Sequence, residues 1–334
     1  MRPRVLCTSL GAETGPHFDL LREGSFEPQV VDRTVSLWNE ENLIRVLDGC
    51  VAVLAGSEPY TRRVISSSPE LRVIARMGVG FDAVDVGACD DLGVILTTTP
   101  GVNHDSVAEH TFALLLGIAR DFPRQDIGVR RGKWVRQALP RVQGSTLGII
   151  GMGRIGRAVA WRAVGLGMKV LAFEPNPDRA FCEKWGIDVV SLDDLLARSD
   201  YVSLHCPSTA ESRHLINAER LAKMKPGSVL INTARGPLVD EAALVDALRS
   251  GHLRGAGLDV FEKEPLPTTS SLIELENVLL AGHTAGLDQE SHRDSCAMAS
   301  ENIVTLAHGG RLPAERIQNR CQLDSWSWST ARQK

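Results

Sequence analysis

From about Thr146 onward, short apolar runs alternate with stretches of helical periodicity. Thr146–Ile150 reads as a buried strand, residues 154–166 as a helix with Ala and Val on one face, and Lys169–Phe173 as the next strand. Residues 200–204, 228–232 and 255–260 continue the strand series, with helical stretches at 192–197, 218–224 and 240–250 between some of them. Strands alternating with helices predict a parallel sheet covered on both faces. The first hundred residues repeat the rhythm more weakly, with strands at 51–55, 71–75 and 94–97 and helices at Glu40–Leu47 and Arg62–Ser66. The pattern therefore predicts an α/β chain of two domains, bridged by a long helix at 106–118. A helix at 291–308 is expected to pack back on the first domain. The last ten residues, with Trp326 and Trp328 among Ser and Thr, carry no interpretable pattern.

A chain of 334 residues has room for two such cores. Its net charge of −4 supplies no basic field, so no nucleic-acid partner is expected. The longest apolar run, 112–119, is core-sized, and the first ten residues lack the apolar stretch of a signal peptide; no membrane partner is expected. Seven scattered cysteines include no Cys-x-x-Cys pair, so neither a metal site nor a disulfide framework is expected, and a cytoplasmic location fits reduced thiols.

Gly151-Met-Gly153-Arg-Ile-Gly156 directly follows the strand ending at Ile150 and opens a helix. In that setting Gly-x-Gly-x-x-Gly is a strong dinucleotide signal. The first glycine permits the tight turn, the second admits the pyrophosphate to the backbone, and the third lets helix and strand pack closely. Phosphates then sit on unpaired N–H groups of the helix N-terminus, with Arg154 able to add a charged contact. Eighteen residues beyond Gly156, the next strand ends at Glu174, whose carboxylate suits ribose hydroxyls and repels a 2′-phosphate. Pro175-Asn-Pro177 follows with no adjacent basic residue, so the expected cofactor is NAD rather than NADP.

Polar groups then concentrate at strand ends, in Asn232-Thr-Ala-Arg235-Gly236, Gly257-Leu-Asp259-Val260, Glu262-Lys-Glu264-Pro265 and Gly282-His283-Thr-Ala-Gly286. Open parallel sheets bind ligands at such ends. A guanidinium at Arg235 can fork onto a carboxylate and polarise an adjacent carbonyl. His283 is the histidine in a Gly-flanked strand-end setting. Cys206, after the strand at 201–204, is no nucleophile, because hydride transfer needs none. His104 and His110 flank the bridging helix in facing or capping roles, and Arg130-Arg-Gly-Lys133 reads as a solvated charge run.

These residues, together with Gly78-Val-Gly80-Phe-Asp82, Pro100-Gly-Val-Asn103, Val107-Ala-Glu109-His110 and Leu258-Asp-Val-Phe-Glu-Lys-Glu-Pro265, resemble the D-isomer-specific 2-hydroxyacid dehydrogenase family over nearly the whole chain. The resemblance implies two Rossmann-like domains, a dinucleotide domain (104–286) inserted into a split substrate domain (1–103 and 287–334), and a homodimer. It implies Arg235, Glu264 and His283 as the catalytic trio, acting on C2 of a small 2-hydroxy or 2-oxo acid. Asp259 would lie beside the nicotinamide. Val107, Ile155, Cys206, Pro207, Thr233, Ala234 and Gly286 would complete the cofactor contacts. The turn at Val79-Gly80 would hold the substrate carboxylate through backbone N–H groups, with Arg76 and Asn103 near it.

Gly56-Ser-Glu-Pro59 and Arg76-Met-Gly-Val-Gly80 resemble the phosphoglycerate dehydrogenase-like branch, which makes phosphohydroxypyruvate the expected substrate and glyoxylate or hydroxypyruvate the alternative. Ala55-Gly56, however, stands where those enzymes carry an Arg-Ser pair, and no room follows His283 for their regulatory domain. Glu174 replaces the usual Asp, and Ala281-Gly282 replaces a frequent Thr-Pro, which predicts a more flexible histidine loop. Formate oxidation is disfavoured because formate enzymes pair Gln with the histidine. An NAD-sensing scaffold like the family's corepressors lacks the basic or nuclear-targeting run that would support it.

Overall fold

Short apolar strands, most of them followed by a capped helix, build two parallel sheets in the computed structural model, which describes residues 2–8, 15–32, 34–319 and 326–328. Cys321 and most of the tail lie outside the described residues. The chain divides into two compact units, Met1–Asn103 with Asp288–Lys334, and His104–Leu287.

In unit 1 the elements run β1 (Arg4–Cys7), α1 (Pro16–Glu23), β2 (Glu27–Val30), α2 (Glu40–Leu47), β3 (Cys50–Ala55), α3 (Arg62–Ser66), β4 (Val73–Arg76), α4 (Val86–Asp91) and β5 (Ile95–Thr97). The sheet order is β2-β1-β3-β4-β5, parallel throughout. Successive side chains point to opposite faces of a strand. Accordingly Val53, Ala55 and Ile74 enter one core, and Ala52, Leu54, Val73 and Ala75 the other. The second core is closed by the helix at Gln289–Ala307, which supplies Ala299, Ile303 and Leu306.

Unit 2 begins with α5 (His104–Ala119) and α6 (Phe122–Arg130), followed by β6 (Thr146–Ile150), α7 (Arg154–Gly165), β7 (Lys169–Phe173), α8 (Arg179–Trp185) and β8 (Asp188–Val189). It continues through α9 (Leu192–Arg198), β9 (Tyr201–Leu204), α10 (Ala218–Lys223), β10 (Val229–Asn232), α11 (Glu241–Arg249), β11 (Gly255–Leu258) and β12 (Val278–Leu280). The helix at Gln289–Ala307 is α12. The seven parallel strands lie in the order β12-β11-β10-β9-β6-β7-β8. Val229 and Ile231 face one core while Leu230 faces the other, the alternation expected of a strand buried on both sides.

Several expectations need correction. The bridging helix belongs wholly to unit 2 as α5, because Ala108, Leu114 and Leu115 are buried with Val229 and Ile231 of its sheet. His104 opens that helix and His110 lies within it. The strand expected at 255–260 stops at Leu258, since the Asp259 carboxylate turns to the backbone of residues 284 and 285. The strand expected at 71–75 is β4, displaced so that Arg76 ends it. Elements without a strong apolar period went unpredicted: α6 buries no residue, β8 has two exposed residues, and α4 buries only Ala88 and Cys89.

Candidate active site

The seven-stranded order reverses around β6, so the crevice past the ends of β6 and β9 is where ligands bind such a sheet. Gly151 to Gly156 occupy the end of β6. Gly151 has φ +96, and a Cβ on it would lie 2.6 Å from the Cys206 nitrogen. At Gly156 a Cβ would lie 2.0 Å from the Gly151 oxygen. These two glycines are required by the protein's own packing. Gly153 differs: it is exposed, and a Cβ there meets nothing within 4 Å. Helices α8, α9, α10 and α11 each start on a side-chain cap, whereas α7 starts on Gly153 with none. An uncapped twelve-residue helix behind a bare, open glycine suits a pyrophosphate. The Glu174 carboxylate closes the cradle, accepting from the Met152 N–H at 2.9 Å and the Asn176 N–H at 3.1 Å. Arg154 is exposed and Ile155 half-buried beside it.

The opposite wall is the turn after β9. The His205 N–H bonds the Ile150 carbonyl at 2.7 Å, and its ring, pushed down to about 3 by burial, is neutral against Ser203 Oγ at 2.8 Å. Burial pushes the Cys206 thiol up to about 11, so it stays protonated beside exposed Pro207.

Arg235, Glu264 and His283 come from three different strand ends of the same unit. Buried Asn232 shapes the turn after β10, its amide donating to the Arg235 carbonyl at 2.8 Å and its oxygen accepting from the Ala234 N–H at 3.1 Å. The Thr233 hydroxyl bonds Thr111 of α5 at 2.9 Å. A Cβ on Gly236 would lie 1.8 Å from the Phe261 carbonyl carbon, so only glycine lets this turn reach the segment carrying Glu264. Glu264 accepts from the Phe261 N–H at 3.0 Å through one oxygen and meets His283 Nδ1 at 2.7 Å through the other. Burial works to raise the Glu264 pKa. The His283 hydrogen bond and charge, the Phe261 N–H and Arg235 outweigh it and hold the carboxyl below its usual range.

Asp259, fully buried, fixes the histidine loop from beneath. Its carboxylate accepts from the Thr284 N–H at 2.8 Å and the Ala285 N–H at 2.9 Å, and its carbonyl from the His283 N–H at 2.7 Å. His283 takes φ +56, a costly conformation for a non-glycine residue that these bonds sustain. The loop thus has main-chain anchors that Ala281-Gly282 by itself does not suggest. Ser106 of α5 bonds the Ala285 carbonyl at 2.7 Å, which places Gly286 and buried Val107 on the same segment pair. His110 Nε2 lies 3.4 Å from Asp259, a neighbour that its helical position did not signal.

In unit 1, Arg76 ends β4, donating to the Gly80 carbonyl at 2.9 Å through Nε and to the Ala55 carbonyl at 3.1 Å through Nη1. Gly78 has φ +122 and is pinned by Thr99 Oγ1 at 2.7 Å. Among the described residues, the N–H groups of Val79 and Gly80 donate to no partner, and Val79 is 39% exposed. Two consecutive open N–H groups on a turn form an anion-binding concavity. Asn103 ends this segment of the unit, next to Val102, whose carbonyl accepts from Ser291 at 3.0 Å.

Residues 112–285 match the family described as D-isomer specific 2-hydroxyacid dehydrogenase, NAD binding domain. The chain is also 39% identical over 327 residues to the glyoxylate reductase of Korarchaeum cryptofilum, covering 92% of this chain and 94% of that one. It belongs to this family. As a 2-hydroxyacid dehydrogenase it is 42% identical over 288 residues to the D-3-phosphoglycerate dehydrogenase of Mycobacterium tuberculosis, which covers 85% of this chain but 54% of that protein. The chain thus spans about half the length of the phosphoglycerate dehydrogenases it matches. The D-lactate dehydrogenase of Aquifex aeolicus, solved with NAD and lactic acid, superposes with a TM-score of 0.79 at 32% identity, covering 91% of this chain and 96% of that one. The matched NAD-binding domain of this dehydrogenase lies within unit 2, which carries the glycine loop. Sequence reasoning did not reach the His110–Asp259 contact or the Glu174–Met152 bond, because each depends on a partner far away along the chain.

Proposed function

We propose that this dehydrogenase reduces a small 2-oxo acid to its D-2-hydroxy acid, and runs in reverse, with Arg235, Glu264 and His283 as the catalytic residues. The observation that carries the reading is the 2.7 Å bond between Glu264 and His283 Nδ1, with Arg235 acting on the same carboxylate. Bound NADH supplies the hydride. His283 Nε2 donates a proton to the carbonyl oxygen in reduction and takes it back in oxidation. Arg235 offsets charge developing on the carbonyl oxygen, and in unit 1 the Val79 and Gly80 N–H groups are the receptor for a substrate carboxylate. The substrate is a two- or three-carbon acid of the glyoxylate or phosphoglycerate type. Stopped-flow reduction of glyoxylate, hydroxypyruvate, phosphohydroxypyruvate and pyruvate with NADH tests this, and absence of turnover with all four would overturn it.

Glu174 is read as the ribose partner. NADH is therefore expected to exceed NADPH in kcat/KM by at least about tenfold, roughly 1.4 kcal/mol. Glu174→Ala should narrow that gap by relieving repulsion of the 2′-phosphate, and parity of the two cofactors in the parent would contradict the assignment.

A homodimer is part of the proposal. α6 buries no residue, and Phe122 (67%), Val129 (55%), Trp134 (81%) and Val135 (76%) lie exposed on it and just beyond it. Apolar exposure of that density is typical of an interaction surface. Light scattering is expected to give twice the 36.3 kDa chain mass, and Trp134→Glu with Val135→Glu should shift the protein toward monomer. A monomeric parent would remove this element. The described cysteines form no disulfide, which suits the cytoplasm proposed for the enzyme.

A further inference from the structure

The geometry points to Glu58 as a specificity-determining residue that makes the enzyme select 2-oxo acids with a neutral hydroxyl on C3 over those carrying phosphate. This deepens the reading above and rests on the Val79–Gly80 turn receiving the substrate carboxylate.

The order β2-β1-β3-β4-β5 reverses between β1 and β3, and the crevice past their carboxyl ends is where an open sheet of this order binds ligands. Thr8 follows β1 there, and Gly56 to Glu58 follow β3. Glu58 is only 5% exposed, yet it is an acid at the end of an apolar strand. Its Oε1 is fully committed, accepting from the Gly56 N–H at 3.0 Å, the Tyr60 hydroxyl at 2.7 Å and the Thr8 hydroxyl. Oε2 accepts no hydrogen bond from the described residues. A Cβ on Gly56 would lie 2.6 Å from Oε2, so this oxygen fills the space that a side chain at position 56 would take.

Arg76 ties the end of β3, beside Gly56, to the turn. One guanidinium donates to the carbonyl of Ala55, next to Gly56, and to the carbonyl of Gly80. The crevice and the carboxylate turn therefore share one sheet edge within unit 1. An acid held at the turn by its C1 carboxylate would extend its C3 group along that edge toward Oε2. A hydroxyl there donates a hydrogen bond to the open oxygen. A phosphate offers only acceptors and like charge, and Nε and Nη1 of Arg76 are already spent on carbonyls. The placement of Glu58 thus inverts the chemistry expected of a phosphate subsite: an anion stands beside a residue with no side chain.

The test uses the full chain with NADH and compares kcat/KM for hydroxypyruvate, phosphohydroxypyruvate and pyruvate. In the parent, hydroxypyruvate is expected to exceed phosphohydroxypyruvate by about 100-fold or more, the discrimination a buried polar partner can supply. Glu58→Gln keeps the shape and one acceptor while removing the charge. It should narrow the ratio at least about tenfold, chiefly through a lower KM for phosphohydroxypyruvate. Phosphohydroxypyruvate as good as hydroxypyruvate in the parent would overturn the inference without any variant. So would a Glu58→Gln ratio equal to the parent's, including an equal loss on all three acids, which marks a structural role. Absence of turnover with every acid would overturn the substrate reading beneath it, a result distinct from either.

Discussion

Replacing Glu264 with Gln is expected to move both pH limbs of activity toward acid, and replacing His283 with Ala to lower kcat/KM by about 10²–10⁴-fold at every pH in both directions. The Glu264 carboxyl is held below its usual range despite burial, with the His283 hydrogen bond and charge the leading opposing causes. The two groups share one short hydrogen bond, so the charge on Glu264 bears directly on proton exchange at the pair. Gln preserves size and most hydrogen bonding but deletes the charge. Reduction, which needs a proton donor, should then fail at a lower pH than in the parent. Oxidation, which needs the neutral ring, should begin at a lower pH. Both limbs therefore shift in one direction, whereas a variant that merely disturbed the loop would lower the plateau and leave the limbs in place. kcat/KM against pH for parent and Glu264→Gln, with a deuterated-cofactor isotope effect showing that hydride transfer is limiting, decides the matter. Unmoved limbs would end the case for an acid–base pair.

The glycines of the loop should separate into two classes with different readouts. At Gly156 a Cβ would lie 2.0 Å from a main-chain oxygen, which cannot rotate away, so α7 must lift from β6. Gly156→Ala should cost about 1–3 kcal/mol of stability, the usual penalty of overpacking. In a domain of this size that is roughly 2–4 °C of Tm per kcal/mol. Gly153 has φ −64 as the start of α7 and an open surround, so a side chain there strains nothing in the protein. Gly153→Val should keep the parent Tm and still weaken NADH by about 100-fold, about 2.7 kcal/mol, because the added methyl groups stand where the pyrophosphate must approach. Thermal unfolding and fluorescence titration of NADH check the two variants side by side. Parent-like NADH affinity in Gly153→Val would show that the pyrophosphate does not pass that residue.

Much of this dehydrogenase was legible in the order of its residues. A strand such as Val229–Asn232 is apolar at every inward position and ends on a polar group, and the glycine spacing after Ile150 states its own geometry. Local steric rules decide such features, so a window of a few residues suffices. Arg235 and His283 could be chosen singly for the same reason, each standing just beyond an apolar run, whereas Glu264 was singled out from its acidic stretch by the family resemblance.

Tertiary structure alone decided the relations among them. Glu264 and His283 are 19 residues apart and meet only because Asp259 fastens the backbone of residues 284 and 285 while Gly236 lets the Arg235 turn lie against Phe261. α6 left no apolar period because none of its residues is buried, and a pattern of burial cannot be written where there is no burial. Glu58 is the sharpest instance. In sequence it is one acid in a loop, and only the fold puts it at the reversal of a sheet, over a glycine whose missing side chain its oxygen replaces. Periodicity records which way each residue faces, but the charge a substrate meets is set by residues brought together from separate strand ends.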